Sequence, residues 1–281
     1  MFPIIPANSA TAASGNQEGI FGFGHKPGST AVTNLVSNTG VVSSDVAGVG
    51  TARRNLAACE YGGDKGIFGF GYSSGATAVT NLVSNAGVVA SDTAGVGTSR
   101  SNPSACGYGE DKGIFGYGYT TGIVSMTNLV SNTGVVSSDV AGVGSVGYQR
   151  AACEYGGDKG IFGYGYGPEW ASDSRTNLVS NTGVVSSDVA GVGTFRDALG
   201  ACSYGGDKGI FGYGEPGPSA ITNLVSNTGV VASDTAGVGT ARHALKATQY
   251  GGDKGIFGFG LAVSTYYAMT NLVSNTGVVA S

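Results

Sequence analysis

Gly66-Ile67-Phe68-Gly69-Phe70-Gly71 and Thr80-Asn81-Leu82-Val83-Ser84-Asn85 decide the fold, because both motifs return five more times along the chain, the first with Tyr in place of Phe70 in three copies. The second begins again at Thr33, Thr127, Thr176, Thr222 and Thr270, and the Ile of the first recurs at Ile20, Ile114, Ile161, Ile210 and Ile256, so successive copies lie 46 to 49 residues apart. A period of this size identifies a repeat architecture in which a single unit cannot bury its apolar face without neighbours. Within the copy at 51–97, Leu56–Tyr61 is a short, mostly apolar run and Gly62-Gly63-Asp64-Lys65-Gly66 is a hairpin turn by composition. Ile67–Tyr72 reads as a second strand with Phe68 and Phe70 on one face, and Gly69 and Gly71 leave the other face bare for close approach by a neighbouring sheet. Ala78–Ser84 is a third strand, Asn85-Ala86-Gly87 a turn with Gly in the left-handed conformation, and Val88–Ser91 a fourth strand.

No segment carries the 3.6-residue periodicity of a helix. Four short antiparallel strands per unit and six units describe an all-β, six-bladed β-propeller formed by one domain over 1–281. Its blades fall at about 1–50, 51–97, 98–144, 145–193, 194–239 and 240–281. A β-solenoid is the alternative, disfavoured by hairpin turns that imply antiparallel meanders. Ala10-Thr11-Ala12-Ala13 is expected to supply the first strand of the first blade, and Val278–Ser281 the fourth strand of the sixth. Ring closure would then rest on side-chain packing between the first and sixth blades.

Composition narrows the function. Gly makes up 52 of 281 residues without a Gly-X-Y period, and hydrophobic content is 41%, which excludes collagen and a disordered chain. Only 11% of residues are charged and the net charge is −4, so nothing resembles a nucleic-acid-binding stripe. There is no apolar run long enough for a membrane helix, and Met1–Pro6 lacks the charged and apolar regions of a secretory signal. Cys59, Cys106, Cys153 and Cys202 occupy one equivalent position of successive copies and read as small buried residues rather than disulfide partners or metal ligands.

The run Thr51-Ala52-Arg53, Leu56-Ala57-Ala58 and Gly62–Tyr72 resembles the kelch repeat, although the Trp of that repeat's fourth strand is missing and its double Gly is replaced by Gly-(Phe/Tyr)-Gly. The wording from Asp-Lys-Gly-Ile-Phe-Gly-Tyr-Gly to Thr-Asn-Leu-Val-Ser-Asn-Thr-Gly also resembles repeat proteins encoded by tailed bacteriophages. That resemblance implies a virion or extracellular setting, with other virion proteins among the partners.

The copies differ in two stretches only: after the second strand and after the fourth. Antiparallel alternation brings both to one side of the molecule and the constant turns to the other. The variable side carries His25, Arg54, Tyr72, Tyr119, Tyr148, Arg150, Tyr166, Glu169, Trp170, Phe195, Asp197, His243, Tyr266 and Tyr267, which are taken as ligand-binding candidates. Aromatic, His and Arg residues on loops of a rigid frame suit recognition, whereas drift would favour bland polar residues. The reading is a non-enzymatic binding module, without cofactor, metal, nucleic acid or membrane insertion, whose partner is a host surface glycan or protein receptor. Two His in unrelated loops give no triad, and Glu169, Asp173, Asp197 and Glu215 are the carboxylates from which a glycosidase pair would have to come. A structural ring that decorates a virion is the alternative function. Arg53, Arg100, Arg196 and Arg242 share one position, each eight residues after an Asp (Asp45, Asp92, Asp188, Asp234). They read either as a repeated Asp–Arg pair or as a cationic ring for an anion.

Overall fold

Small antiparallel sheets of two or three strands build the protein in a computed structural model whose described residues are 17–25 and 27–281. Nineteen strands and no helix are present among those residues. Each of the five later units has a three-stranded sheet: in the second, Ala57–Tyr61, Lys65–Gly69 and Thr80–Val83 lie in that order, and the sixth adds a two-stranded hairpin of Leu261–Ala262 and Thr265–Tyr266. The first unit contributes Gly19–His25 and Ser29–Val36, and its expected first strand, 10–13, lies outside the described residues.

The anticipated fourth strand is looser than expected. It touches the third strand only at isolated bridges, Val83 with Val89 and Thr80 with Thr93, joined by the Ala90 N–H donating to the Leu82 carbonyl at 2.8 Å. The hairpin turns form as expected: Gly62 and Gly63 take φ of 64° and 74°, and Gly87 takes 72°.

Phe68 and Phe70 do not share a face. Phe70 adopts φ of 61°, as do its equivalents Phe23, Tyr117, Tyr164, Tyr213 and Phe259 within a few degrees. A left-handed aromatic between two glycines inserts a bulge, and the pleat reverses across it. Phe68 therefore packs back on Ile20 and Phe23 of the preceding unit, while Phe70 meets Phe115 of the following one at 5.2 Å between ring centres.

The bare glycine face does admit a neighbour, and this contact joins the units. A Cβ on Gly69 would lie 2.6 Å from Phe115 Cζ, and Gly22, Gly116, Gly163 and Gly212 receive Phe68, Phe162, Phe211 and Phe257 in the same way. Gly258 of the sixth unit receives Phe21 of the first, at 2.8 Å. The Gly251 N–H donates to the Gln17 carbonyl at 2.7 Å, repeating the bond from Gly62 to Asp111. Among the described residues no sheet is shared between units, so the sixth and first units meet by the side-chain and turn contacts that link every other consecutive pair. The cysteines fill the same interfaces: a Cβ on Gly113 would lie 2.5 Å from Cys59 Sγ. All four are free, and burial pushes the Cys202 thiol up to about 12.

The repeated arginines are structural. Arg53, Arg100, Arg196 and Arg242 are among the largest fully buried side chains. Arg53 lies 4.4 Å from the centre of the Phe23 ring and donates from Nε to the Phe70 carbonyl and from Nη2 to Asn81 Oδ1, at 3.0 and 2.6 Å. Asn81 Nδ2 passes the chain on to Asp92 Oδ1 at 2.9 Å, and Asp92 accepts from the Thr51 hydroxyl at 2.5 Å. The acid that serves Arg53 is thus Asp92 at the far end of the same unit, at 3.9 Å, not Asp45 eight residues earlier in the preceding one. A buried guanidinium held in this way is closed to an anion, so the cationic-ring reading fails.

Arg150 was expected on the exposed side and is instead 3% exposed. It stands where other units have Leu56 or Leu199, but its guanidinium occupies the missing Arg site, donating to Asn177 Oδ1 at 2.7 Å and lying over Tyr117 at 4.3 Å. Gly147, at the Arg53 position, makes the room: a Cβ there would sit 2.3 Å from Arg150 Nε.

Side chains of the second, fourth and sixth units meet. Gln249 Nε2 donates to Glu60 Oε2 at 3.3 Å, and Glu154 reaches Glu60, with Gly107 leaving the space that Glu154 fills. Burial, and then the neighbouring Glu60, push the Glu154 carboxyl well above its usual range. A carboxyl raised in the folded state leaves stability intact below its ordinary value and removes it as pH rises through the raised one. Melting of the wild type should therefore fall between about pH 5 and about pH 9 by clearly more than that of Glu154→Gln. Parallel curves would refute a protonated Glu154.

Candidate variable-face site

The fold brings the variable segments to one end of the units and the constant turns to the other. At the constant end, Asn85 Nδ2 donates to Asp64 Oδ2 at 3.2 Å, joining the two nearly constant turns of a unit, and Lys65 pairs with Asp64 at 2.7 Å. At the variable end, the bulge reunites the two strands of each hairpin at one further pair. These pairs are Arg54 with Tyr72, Ser101 with Tyr119, Tyr148 with Tyr166, Asp197 with Glu215, and His243 with Leu261. Each is closed by two reciprocal backbone bonds of 2.8–3.1 Å, the arrangement that sets both side chains on one face.

Behind the pairs runs a chain of backbone bonds between units. The N–H of Asn102 donates to the Asn55 carbonyl at 2.7 Å, Gln149 to Asn102, Ala198 to Gln149, and Ala244 to Ala198 at 2.7 Å. All five residues are left-handed, with φ between 51° and 55°. Asn tolerates this region and Ala does not, at a cost of about 1 kcal/mol. Ala244 is exposed, so Ala244→Asn has room for its side chain. It should raise the melting temperature by roughly 1–4 °C; a fall in thermal denaturation would contradict the strain.

The densest part of the end lies across the third and fourth units. Tyr148 stacks on Tyr166 at 5.1 Å and 15°, and Trp170 meets Tyr119 and Tyr148 edge-on, each at 5.9 Å. Tyr119 and Tyr148 belong to neighbouring units and lie 6.1 Å apart. Trp170 remains 57% exposed, with Glu169 exposed beside it.

A polar sector adjoins this cluster. Asp197 is 2% exposed and accepts from Ser172 Oγ at 2.8 Å, while His243 Nδ1 closes on Glu215 Oε1. Burial raises the Asp197 carboxyl, with Glu215 adding to the effect. Asp197, together with burial and Glu215, also raises the Tyr166 hydroxyl, so the two sectors share one field.

The remaining candidates are dispersed. Arg54 lies over the Tyr72 ring at 4.9 Å, and His25 Nδ1 contacts Tyr266 Oη at 3.2 Å. Phe195 is 53% exposed, and the Tyr267 N–H is tied to the Gly260 carbonyl at 2.9 Å. Ser101, Ser172, Glu215 and Leu261 complete the arrangement; Glu215 was named from sequence only as a carboxylate for a glycosidase pair, and the other three were not named as candidates. A signal for three of them was present: both members of every pair are 18 residues apart, from Arg54–Tyr72 to His243–Leu261. The void beside Glu154, lined also by the constant-turn residues Gly157, Gly206 and Asp207, measures about 20 Å³, enough for one water and too small for a sugar ring. Comparison with protein-family models and with curated protein sequences finds no match.

Proposed function

We propose that the six units form a six-bladed, kelch-like β-propeller and that the protein is a non-enzymatic binding module, with its variable end docking a host surface glycan or protein receptor. The observation that carries this reading is the exposed Trp170 held edge-on by Tyr119 and Tyr148, beside the Tyr148–Tyr166 stack. Packing does not require a 57% exposed indole at a loop tip, whereas a stacking platform does. The propeller is supported by the Phe21–Gly258 contact, which repeats between the sixth and first units what links the others. Attachment of a virion to its host is the setting we infer, from the resemblance to phage repeat proteins.

A glycan array together with host surface extracts tests the reading. Trp170→Ala and Tyr166→Ala should each weaken binding at least tenfold, about 1.4 kcal/mol, without unfolding the protein. Unchanged binding in both folded variants would refute the site. A decorative virion role is favoured by a different observation: Val41, Val88, Val135, Val184, Val230 and Val278 are identical in every unit and each is 64–66% exposed. Copurification with particles lost on Val→Ser changes there, with Trp170→Ala silent, would support decoration instead.

A further inference from the structure

We infer that ligand choice is set by one cross-strand pair in each of the second to sixth units, the pair spaced 18 residues apart at the variable end, and that the sectors formed by the fourth and fifth units select a saccharide that is neutral or carries an amine rather than an acidic one. This rests on the binding role proposed above.

The backbone at these pairs is held independently of what the side chains are. Behind each pair stand a left-handed aromatic, a left-handed glycine and the inter-unit chain of N–H to carbonyl bonds. A Cβ on Gly71 would lie 2.8 Å from the Arg54 carbonyl, so the frame closes on the backbone of the pair and ignores its side chains. Just before the pair, the residue is a buried Arg in four units, and a fifth restores the guanidinium through Arg150. Constancy and variation thus stand side by side. One position inward, packing demands Arg; at the pair, every chemical class is present.

The pairs also form a continuous surface. The first member of one pair meets the second member of the preceding one: Tyr148 faces Tyr119, and His243 faces Glu215. A ligand crossing a junction therefore reads two units at once.

Drift does not account for the fifth unit. Two carboxylates placed directly opposite each other repel, and like charges in this position destabilise a sheet. Asp197 bears that cost while 2% exposed. The fold supplies each carboxylate with one partner, Ser172 Oγ for Asp197 and His243 Nδ1 for Glu215, and leaves further acceptor positions for a ligand. A sugar has apolar C–H faces that stack on an indole or phenol ring, and hydroxyl or ammonium donors that a carboxylate accepts. The aromatic sector and the Asp197–Glu215 sector supply both, in neighbouring units whose fields overlap at Tyr166. Negative potential beside the stacking platform repels sialylated or sulfated sugars.

The test uses the full chain and a panel of immobilised oligosaccharides: neutral, amine-bearing, sialylated and sulfated. The wild type should prefer the neutral or amine-bearing probes at least tenfold. Asp197→Tyr combined with Glu215→Tyr copies the fourth unit's pair into the fifth, and should erase that preference while stacking is retained. Should the double exchange fail to fold, Asp197→Asn with Glu215→Gln removes the charge at constant volume and should do the same. Val263→Ser, a 90% exposed change outside the pairs, should leave the profile as it was. Unaltered selectivity in folded Asp197→Asn/Glu215→Gln, with Trp170→Ala still abolishing binding, overturns the pair inference and leaves the binding role standing. Preference for acidic sugars overturns it too. Absence of binding to every probe, and to host extracts, overturns both.

Discussion

Arg53→Ala should lower stability by about 3 kcal/mol, and the melting temperature by roughly 6–12 °C, although no ligand or charged neighbour is removed from the surface. The guanidinium is wholly enclosed. Its loss leaves the Phe70 carbonyl and Asn81 Oδ1 without their donors and strips the cation from the Phe23 ring. A buried acceptor left unpaired costs about 1–3 kcal/mol, so two such groups suffice before the cavity is counted. Arg54→Ala, one residue on, is the internal control. Its side chain only lies over Tyr72 at the variable end, and its loss should cost under about 1 kcal/mol. Equal losses in the two variants would refute the relay as a structural element of the unit.

Gly212→Val is expected to cost about 3 kcal/mol or more and to open the junction between the fifth and sixth units. The new Cβ would stand 2.8 Å from Phe257 Cζ. That ring has no freedom to retreat, being fully buried against Tyr213 at 5.1 Å. Because stability in a repeat array is carried by neighbour interfaces, damage at one junction should appear as local proteolysis near 235–245. Phe257→Leu in the same chain should recover part of the loss, giving a coupling energy above about 0.5 kcal/mol in a double-mutant cycle. Gly75→Val, where a Cβ meets nothing within 4 Å, should stay within about 0.5 kcal/mol of wild type. Additive behaviour of Gly212→Val and Phe257→Leu would mean that the contact does not join the units.

How much of this was legible in the chain depends on the range of the interaction. Gly62-Gly63 and Asn85-Ala86-Gly87 announced their turns because left-handed φ is a local demand that glycine meets. The separation of variable from constant ends followed from antiparallel alternation, which needs only strand order. Phe70 was misread because alternation assumes an unbroken pleat, and nothing in Gly-Phe-Gly states that the aromatic itself, not a glycine, takes φ of 61°. The fourth strand was over-read: Val88 and Val89 favour extended backbone, but pairing is confined to isolated bridges.

For the site, residue type pointed to Trp170, Tyr148 and Tyr166, and their convergence could not be read from order along the chain. Asp45 was named as the partner of Arg53 because it is near in sequence, whereas Asp92 is near in space. Arg150 looked like a loop residue, until Gly147 vacated the pocket that its guanidinium fills.

By itself the sequence determined the repeat length, the all-β character, the turns and the list of places where copies diverge, because each follows from local backbone preference and simple recurrence. Only the tertiary structure decided which acid serves which arginine, which way each aromatic points and which divergent residues become neighbours. Those outcomes depend on contacts that span some forty positions of the chain or cross from one unit to the next, as Arg53 does with Asp92 and with the Phe23 ring.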